Sequence, residues 1–564
     1  MNRIITFAAV LLFSVAASAQ TARFSYFTYT GNDARFDKPI DHSRQYFNPI
    51  LAGYAPDPSI CRAGNTYYLV NSSFTAYPGV PIYKSTDLVN WKSIGHVLDR
   101  ESQLPLRRQN VSGGIFAPAI SYNAKNKTFY MITTNVGWGN FFVKTKDPEK
   151  GWSEPIRLPH VGGIDPSFFF DKDGNGYIVN NDEPVGGHDY EGQRSIFLHK
   201  FDVKGDSTVG PQKEILRGGT HVQEHPIWIE GPHLFRVGKM YYLMCAEGGT
   251  GDWHSEVILR APKPEGPWEE FTAGNPILTQ RTGLDPNRPD IVTSTGHADL
   301  VEATDGKWWA VFLGCRPYEG DMYNTGRDTY MLPVTWKDGW PTILEKGKAV
   351  PTVVDKPGLN RERVPYLTGN FTYTDRFDAP KLNTRWMILR NPEGNFYKTG
   401  NGLELTAKAV NMTERENPAA VFARQQHTNF AAETCIDFNP SSEKELAGMV
   451  LLQKETHHFV FGKTLRHGQP VVTLVRAEVP MLPEAQGRRP INGLMPTIAS
   501  APIAAGQPVR LKVEGKGRYY DFYYAVGDGE WQLMARGVDA SNLSTHQSGG
   551  FIGNCIGLYA TTKN

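Results

Sequence analysis

Residues 162–181 read GGIDPSFFFDKDGNGYIVNN, and this stretch decides the fold. A carboxylate followed by Pro opens an apolar run, DKDGNG turns the chain, and Tyr177 starts a second apolar run, which is the pattern of a hairpin. The second of these strands recurs. Tyr67 in TYYLVNSS, Phe129 in TFYMITTN, Tyr177, Tyr241 in MYYLMCAEGG and Trp308 in KWWAVFLG follow one another at spacings of 62, 48, 64 and 67 residues. Such a period is too long for a single hairpin. YKSTDLVNW, VKTKDPEKGW and LRAPKPEGPW add a further strand and a closing Trp to three of the units. Four strands per unit predict a blade. Five such units predict an all-β fold with a five-bladed β-propeller over residues 25–340, which protects its sheet edges by closing radially.

The register of the repeat points to a site. Ten residues before Tyr67 stands Asp57 in YAPDPS, twelve before Tyr177 stands Asp165, and eleven before Tyr241 stands Glu230 in WIEGPHLF. Eleven before Trp308 stands His297 in TGHADLV, and the second unit carries Phe116 and Ala117 of GGIFAPAIS at the matching place. In a propeller these positions open the innermost strands, so their side chains converge at one mouth. Carboxylates gathered there beside aromatic rings suit hydrolysis of a glycosidic bond, in which one carboxyl donates a proton and another activates water or attacks the sugar. Glu230, between Ile229 and Gly231-Pro232, is expected to be better desolvated than Asp57 and so to carry the raised pKa, helped by a nearby aspartate. Glu224 in HVQEHP competes as proton donor but lies off the register. His297 reads either as a satisfied polar residue near the axis or as a ligand of a central cation. A hydrated, structural calcium is the expected ion, since no cysteines or paired histidines favour zinc. No organic cofactor is expected. Phe116, Trp228 and neighbouring tyrosines are expected to wall a pocket at this mouth.

The rest of the chain frames this domain. After Trp340, residues 341–370 form a Pro-rich connector, and from 371 to 564 alternating strands such as GLELTAKA, AGMVLLQK and RYYDFYYAV predict a two-sheet β-sandwich. Lys plus Arg number 59 against 58 for Asp plus Glu, and no long basic run occurs, so nucleic acid is not expected as a partner. The 56 Gly and 39 Pro argue against a helical bundle. Residues 1–20, MNRIITFAAVLLFSVAASAQ, read as a signal peptide, and the lack of a cysteine at the cleavage point leaves no acceptor for a lipid anchor. An exported, soluble protein of the periplasm or the extracellular space follows, with no membrane anchor. The five scattered cysteines are expected to be mostly buried thiols, with one disulfide as the alternative.

Taken together, YAPDPSI, GGIFAPAISY, GGIDPSFFFDKDGNGYIV, EGPHLFRVGKMYYLMCAEGG, GHADLV and GRDTYMLPV resemble glycoside hydrolase family 43. The segment from DRFDAPKLNTRW to GGFIGNCIGLYATT resembles the concanavalin A-like β-sandwich of its β-xylosidase-type members. The resemblance implies an inverting hydrolase acting on xylo- or arabino-oligosaccharides. It implies Asp57 as general base, Glu230 as general acid, Asp165 as the carboxylate that orients the acid and raises its pKa, Arg327 as a ligand of sugar hydroxyls, and His297 as the axial histidine. Phe116 stands where many members have Trp. Release of xylose from the non-reducing end of β-1,4-xylo-oligosaccharides is the first expectation, and exo-α-L-arabinofuranosidase or dual activity the second. A non-catalytic carbohydrate-binding propeller would not need the full carboxylate set. Loops within RHGQPVV and residues 478–493 are expected to wall the mouth.

Overall fold

The structure is a computed structural model that describes residues 20–359, 368–477 and 495–564. The signal peptide read at 1–20 therefore lies outside the described residues, apart from Gln20. The repeating aromatic strand becomes the second strand of five successive antiparallel sheets: Thr66–Val70, Thr128–Val136, Gly176–Asp182, Met240–Glu247 and Trp308–Cys315. Each lies in a sheet packed between neighbouring sheets, which is why its residues are apolar on both faces. The first strands are Ser59–Ala63, Gly114–Asn123, Ile164–Phe170, Glu230–Val237 and Thr293–Glu302. Each packs against the next, and the fifth returns to the first, so the five form a closed ring.

Apolar clusters between neighbouring sheets hold the ring. Val70 and Ile82 meet Ile120 and Met131, Phe142 meets Phe168 and Phe201, and Val179 and Leu198 meet Leu234 and Val257. Each such side chain contributes roughly 1.5–3 kcal/mol on full burial. Strand Gln45–Phe47, ahead of the first sheet, pairs with Val353–Asp355, after the fifth, and fastens the chain's entry to its exit.

The second domain has an eight-stranded and a six-stranded sheet with a common core. One boundary differs from the expectation. Thr21–Gly31 does not belong to the ring but lies inside the eight-stranded sheet, between Leu403–Thr406 and Asn429–Asp437. Its alternation explains the placement, because Ala22, Phe24, Phe27 and Tyr29 turn one buried face to the sandwich core. The ring is thus threaded between two pieces of the sandwich. A network of buried polar groups crosses the seam: Arg316 donates to Asp328 and Asp33, and Arg390 donates to Glu455 and, at 2.7 Å, to the Gln109 carbonyl. All five cysteines are free.

Candidate active site

Each first strand of the ring opens with an irregularity. The ladder slips between Phe116 and Ala119, Ile164 and Ser167, Glu230 and His233, and Gly296 and Asp299. A residue of positive φ sits in each slip: Ala117 (35°), Asp165 (55°), Gly231 (55°) and His297 (49°), with Asp57 (51°) at the equivalent place ahead of Ser59–Ala63. A bulge of this kind bends the strand and re-aims a side chain. In four of the five, Pro follows (Pro58, Pro118, Pro166 and Pro232), and a residue without an N–H leaves no unmet donor where the ladder is broken. These residues bound an axial channel of about 10 Å³, room for about one water.

The fourth member of the axial ring is Gly231, not Glu230. A Cβ on Gly231 would lie 2.9–3.0 Å from three ring atoms of His297, so that histidine occupies the space a side chain would need. The carboxylate of this sheet is carried one residue earlier, by Glu230. From here it lines a cavity of about 530 Å³ together with Asp57, Asp165, Phe116, Trp228, His297 and Arg327. The seven residues expected to form the site thus meet at one cavity.

The three carboxyls experience opposed fields. Burial pushes the Asp57 carboxyl up, but Arg327, His297 and Ser72 outweigh it and hold it below the usual aspartate value. The Arg327 Nη1 donates to Oδ1 at 2.8 Å, Ser72 Oγ donates to Oδ2 at 2.6 Å, and His297 Nδ1 lies 3.7 Å from Oδ1. The Glu230 carboxyl accepts no hydrogen bond from the described residues. Burial, then the charges of Asp165 and Asp57, push it well above the usual glutamate value. Asp165 is also raised, by burial and by Asp57, although the Gly231 N–H donates to it at 3.1 Å. One carboxylate is therefore held ionised while the Asp165–Glu230 pair holds on to a proton.

Three residues that the register did not mark complete the cavity or its support. Phe551 comes from the sandwich, stacks on Phe74 (6.0 Å between centroids, 14° between planes) and meets Phe116 edge-on at 5.5 Å. Its N–H donates to Ser112 Oγ at 3.0 Å, and its carbonyl accepts from Arg327 Nη2 at 3.4 Å. The sandwich thus walls the site through residue 551. RHGQPVV does not line the cavity, and residues 478–493 lie outside the described ones. Arg194 lies over the Trp228 ring at 5.3 Å and donates to Asn181 Oδ1 from Nε and Nη2. Asn181 in turn donates to the carbonyl of Ile229, next to Glu230. Glu224, the competing acid, lines a neighbouring cleft and not this cavity.

The calcium expected at His297, being hydrated, would take most of its ligands from water and few from the protein. Calcium favours several oxygen ligands. Among the described residues no three His, Cys, Asp or Glu side chains are grouped to hold a metal, and the His297 ring is packed between Asp57 and the backbone at Gly231.

The profile described as Glycosyl hydrolases family 43 matches residues 46–341. The chain belongs to this family. Residues 374–564 of this family 43 glycoside hydrolase match the Beta xylosidase C-terminal Concanavalin A-like domain. Among its relatives, the Xylosidase/arabinosidase of Butyrivibrio fibrisolvens is 37% identical, with 92% of this chain and 96% of the relative covered. A Non-reducing end alpha-L-arabinofuranosidase of Bacteroides ovatus is 34% identical, with 92% of each covered. Among solved structures, a GH43_12 protein retrieved from a capybara gut metagenome is 41% identical and superposes with a TM-score of 0.88, over 96% of this chain and 100% of its own.

Proposed function

We propose that this family 43 enzyme is an exported, soluble, inverting exo-hydrolase that releases xylose from the non-reducing end of β-1,4-xylo-oligosaccharides. The five sheets are read as the blades of a five-bladed propeller, with the substrate at its axial mouth. The observation that carries the reading is the opposed electrostatics of Asp57 and Glu230 within one cavity. In this mechanism Asp57 takes a proton from water as the water oxygen bonds to the anomeric carbon. Glu230 protonates the glycosidic oxygen as the carbon–oxygen bond breaks. Asp165 stays close enough to keep Glu230 protonated before the step and to favour its reprotonation afterwards. Arg327 holds Asp57 ionised and presents its remaining N–H groups to sugar hydroxyls. The walls of Phe74, Phe116 and Phe551 suit the apolar face of a pentose and support exo-cleavage, because the sandwich limits how far a chain can run on past the cavity.

A second reading, exo-α-L-arabinofuranosidase or dual activity, is favoured by the name of the Bacteroides ovatus relative. One experiment separates them: kcat/KM on xylobiose, an aryl β-xyloside and an aryl α-arabinofuranoside, with proton NMR of the first product and a chelator arm. The expected result is preference for the xylosides, an inverted anomer, and kcat/KM unchanged by chelation. Negligible xylobiose cleavage beside a strong arabinofuranoside rate overturns the first reading. A retained anomer overturns the roles given to Asp57 and Glu230.

A further inference from the structure

A second cavity, of about 300 Å³, lies at the seam between the first sheet of the ring and the sandwich, and it shares no lining residue with the catalytic one. Its charges are one-sided. Lys92, Arg385 and Arg424 line it, and no Asp or Glu does. None of the three forms an ion pair with a described residue, in a chain whose cations and anions nearly balance at 59 to 58. Leaving like charges together without a counter-charge is unfavourable, and a bound anion relieves it.

Both guanidinium groups are held in place while keeping donors free. Arg424 lies over Tyr54 at 5.4 Å and uses Nε on the Tyr54 carbonyl at 2.7 Å, which leaves both Nη groups. Arg385 lies over Tyr373 at 4.6 Å and donates Nη1 to Gln426 Oε1 at 3.0 Å, which leaves Nε and Nη2. Planar guanidinium groups fixed in this way match the oxygens of a carboxylate or phosphate. The cavity is at the lower end of the volumes of small-molecule pockets, roughly 300–1,000 Å³, and is larger than a bare oxyanion fills. Tyr83 adds aromatic wall of the kind that takes a sugar ring.

We propose that this seam cavity is a binding site for an acidic monosaccharide unit, a uronate or a sugar phosphate, whose anionic group is received by Arg385 and Arg424 with Lys92 beside them. The ligand bridges the ring and the sandwich, so it stabilises their docking and raises Tm. The proposal stands apart from the catalytic reading, because no residue of the reaction takes part.

The test is calorimetric titration of the full-length protein at low ionic strength with D-glucuronate, glucose 6-phosphate, inorganic phosphate and glucose, alongside Tm measurements. At least one acidic sugar is expected to bind saturably and raise Tm, with glucose and inorganic phosphate binding at least about tenfold more weakly. Arg385→Gln and, separately, Lys92→Ala are expected to weaken binding by about tenfold or more, the loss of one charge-assisted partner. Both positions are outside the buried core, so a lost fold does not confuse the result. Glu230→Gln is expected to bind as the wild type does. No saturable binding of either acidic sugar overturns the proposal, as does equal binding of glucose or of inorganic phosphate. Undiminished binding by both Arg385→Gln and Lys92→Ala, or loss of binding in Glu230→Gln, overturns the assignment to the seam.

Discussion

Replacing Gly231 by alanine loads the axial ring at its tightest point. Two costs follow from the geometry. At φ of 55° an alanine sits in the left-handed region, which costs roughly 1–2 kcal/mol. Its Cβ would also approach Nε2, Cδ2 and Cε1 of His297 to 2.9, 3.0 and 3.0 Å, and the ring is buried, so the overpacking adds roughly 1–3 kcal/mol. The sum, about 2–5 kcal/mol, corresponds to a fall in Tm of about 4–10 °C at ~2 °C per kcal/mol. The neighbouring Glu230 moves with the backbone, and a displacement near 1 Å is expected to lower kcat/KM about 100-fold. The discriminating assay is a cycle of Gly231→Ala, His297→Ala and the double variant, read by Tm. Removing the ring should return the packing part, leaving a coupling of about 1–3 kcal/mol. Losses that simply add, or a Gly231→Ala enzyme with wild-type Tm and kcat/KM, would refute the contact between the fourth and fifth sheets.

The acid limb of kcat/KM against pH reports Asp57 and the alkaline limb the Asp165–Glu230 pair. Asp165→Asn removes a charge that raises Glu230, so the alkaline limb is expected to move to lower pH, and an unmoved limb counts against the pairing. Because the folded value of Asp57 is lowered, its stabilising contribution is complete above the ordinary aspartate pKa and is lost as pH falls through the lowered one. Arg327→Met should abolish that contribution, which acid unfolding measures. Phe551→Ala is expected to lower kcat/KM on xylobiose by about tenfold or more, since even one missing methylene contact in an apolar pocket is worth roughly 1–3 kcal/mol, with Phe551→Leu recovering most of it. A fragment of residues 20–359 is expected to be insoluble or inactive, since it lacks Phe551 and leaves Thr21–Gly31 without its sheet, and full activity in that fragment would separate the domains functionally.

Much of this site was legible because the ring repeats. Asp57, Asp165 and His297 could be aligned by counting back from an apolar, aromatic strand that must lie between two sheets. Glu230 was assigned to the same register, and there the counting had too little resolution. Offsets of ten to twelve residues admit both Glu230 and Gly231, and the finer signal was the Pro that follows the bulge residue at 58, 118, 166 and 232. Phe551 left no local trace, since nothing in GGFIGNC marks a residue that crosses to another domain. Arg194 acts through Asn181 and a ring contact, neither of which has a spacing. The destination of Thr21–Gly31 was unreadable for a different reason. Its alternation announces a half-buried strand, but alternation does not say which sheet receives it.

That strand has a consequence for how the molecule is made. Thr21–Gly31 is synthesised early, yet its neighbour Asn429–Asp437 begins 398 residues after Gly31. At synthesis rates of ~5–20 residues per second the interval is roughly 20–80 s. Throughout it, Phe24, Phe27 and Tyr29 have no core to enter, although the propeller between can close without them. The first strand of the sandwich therefore waits on the last third of the chain, and its apolar face must be kept from aggregation until that part is available, before or after export.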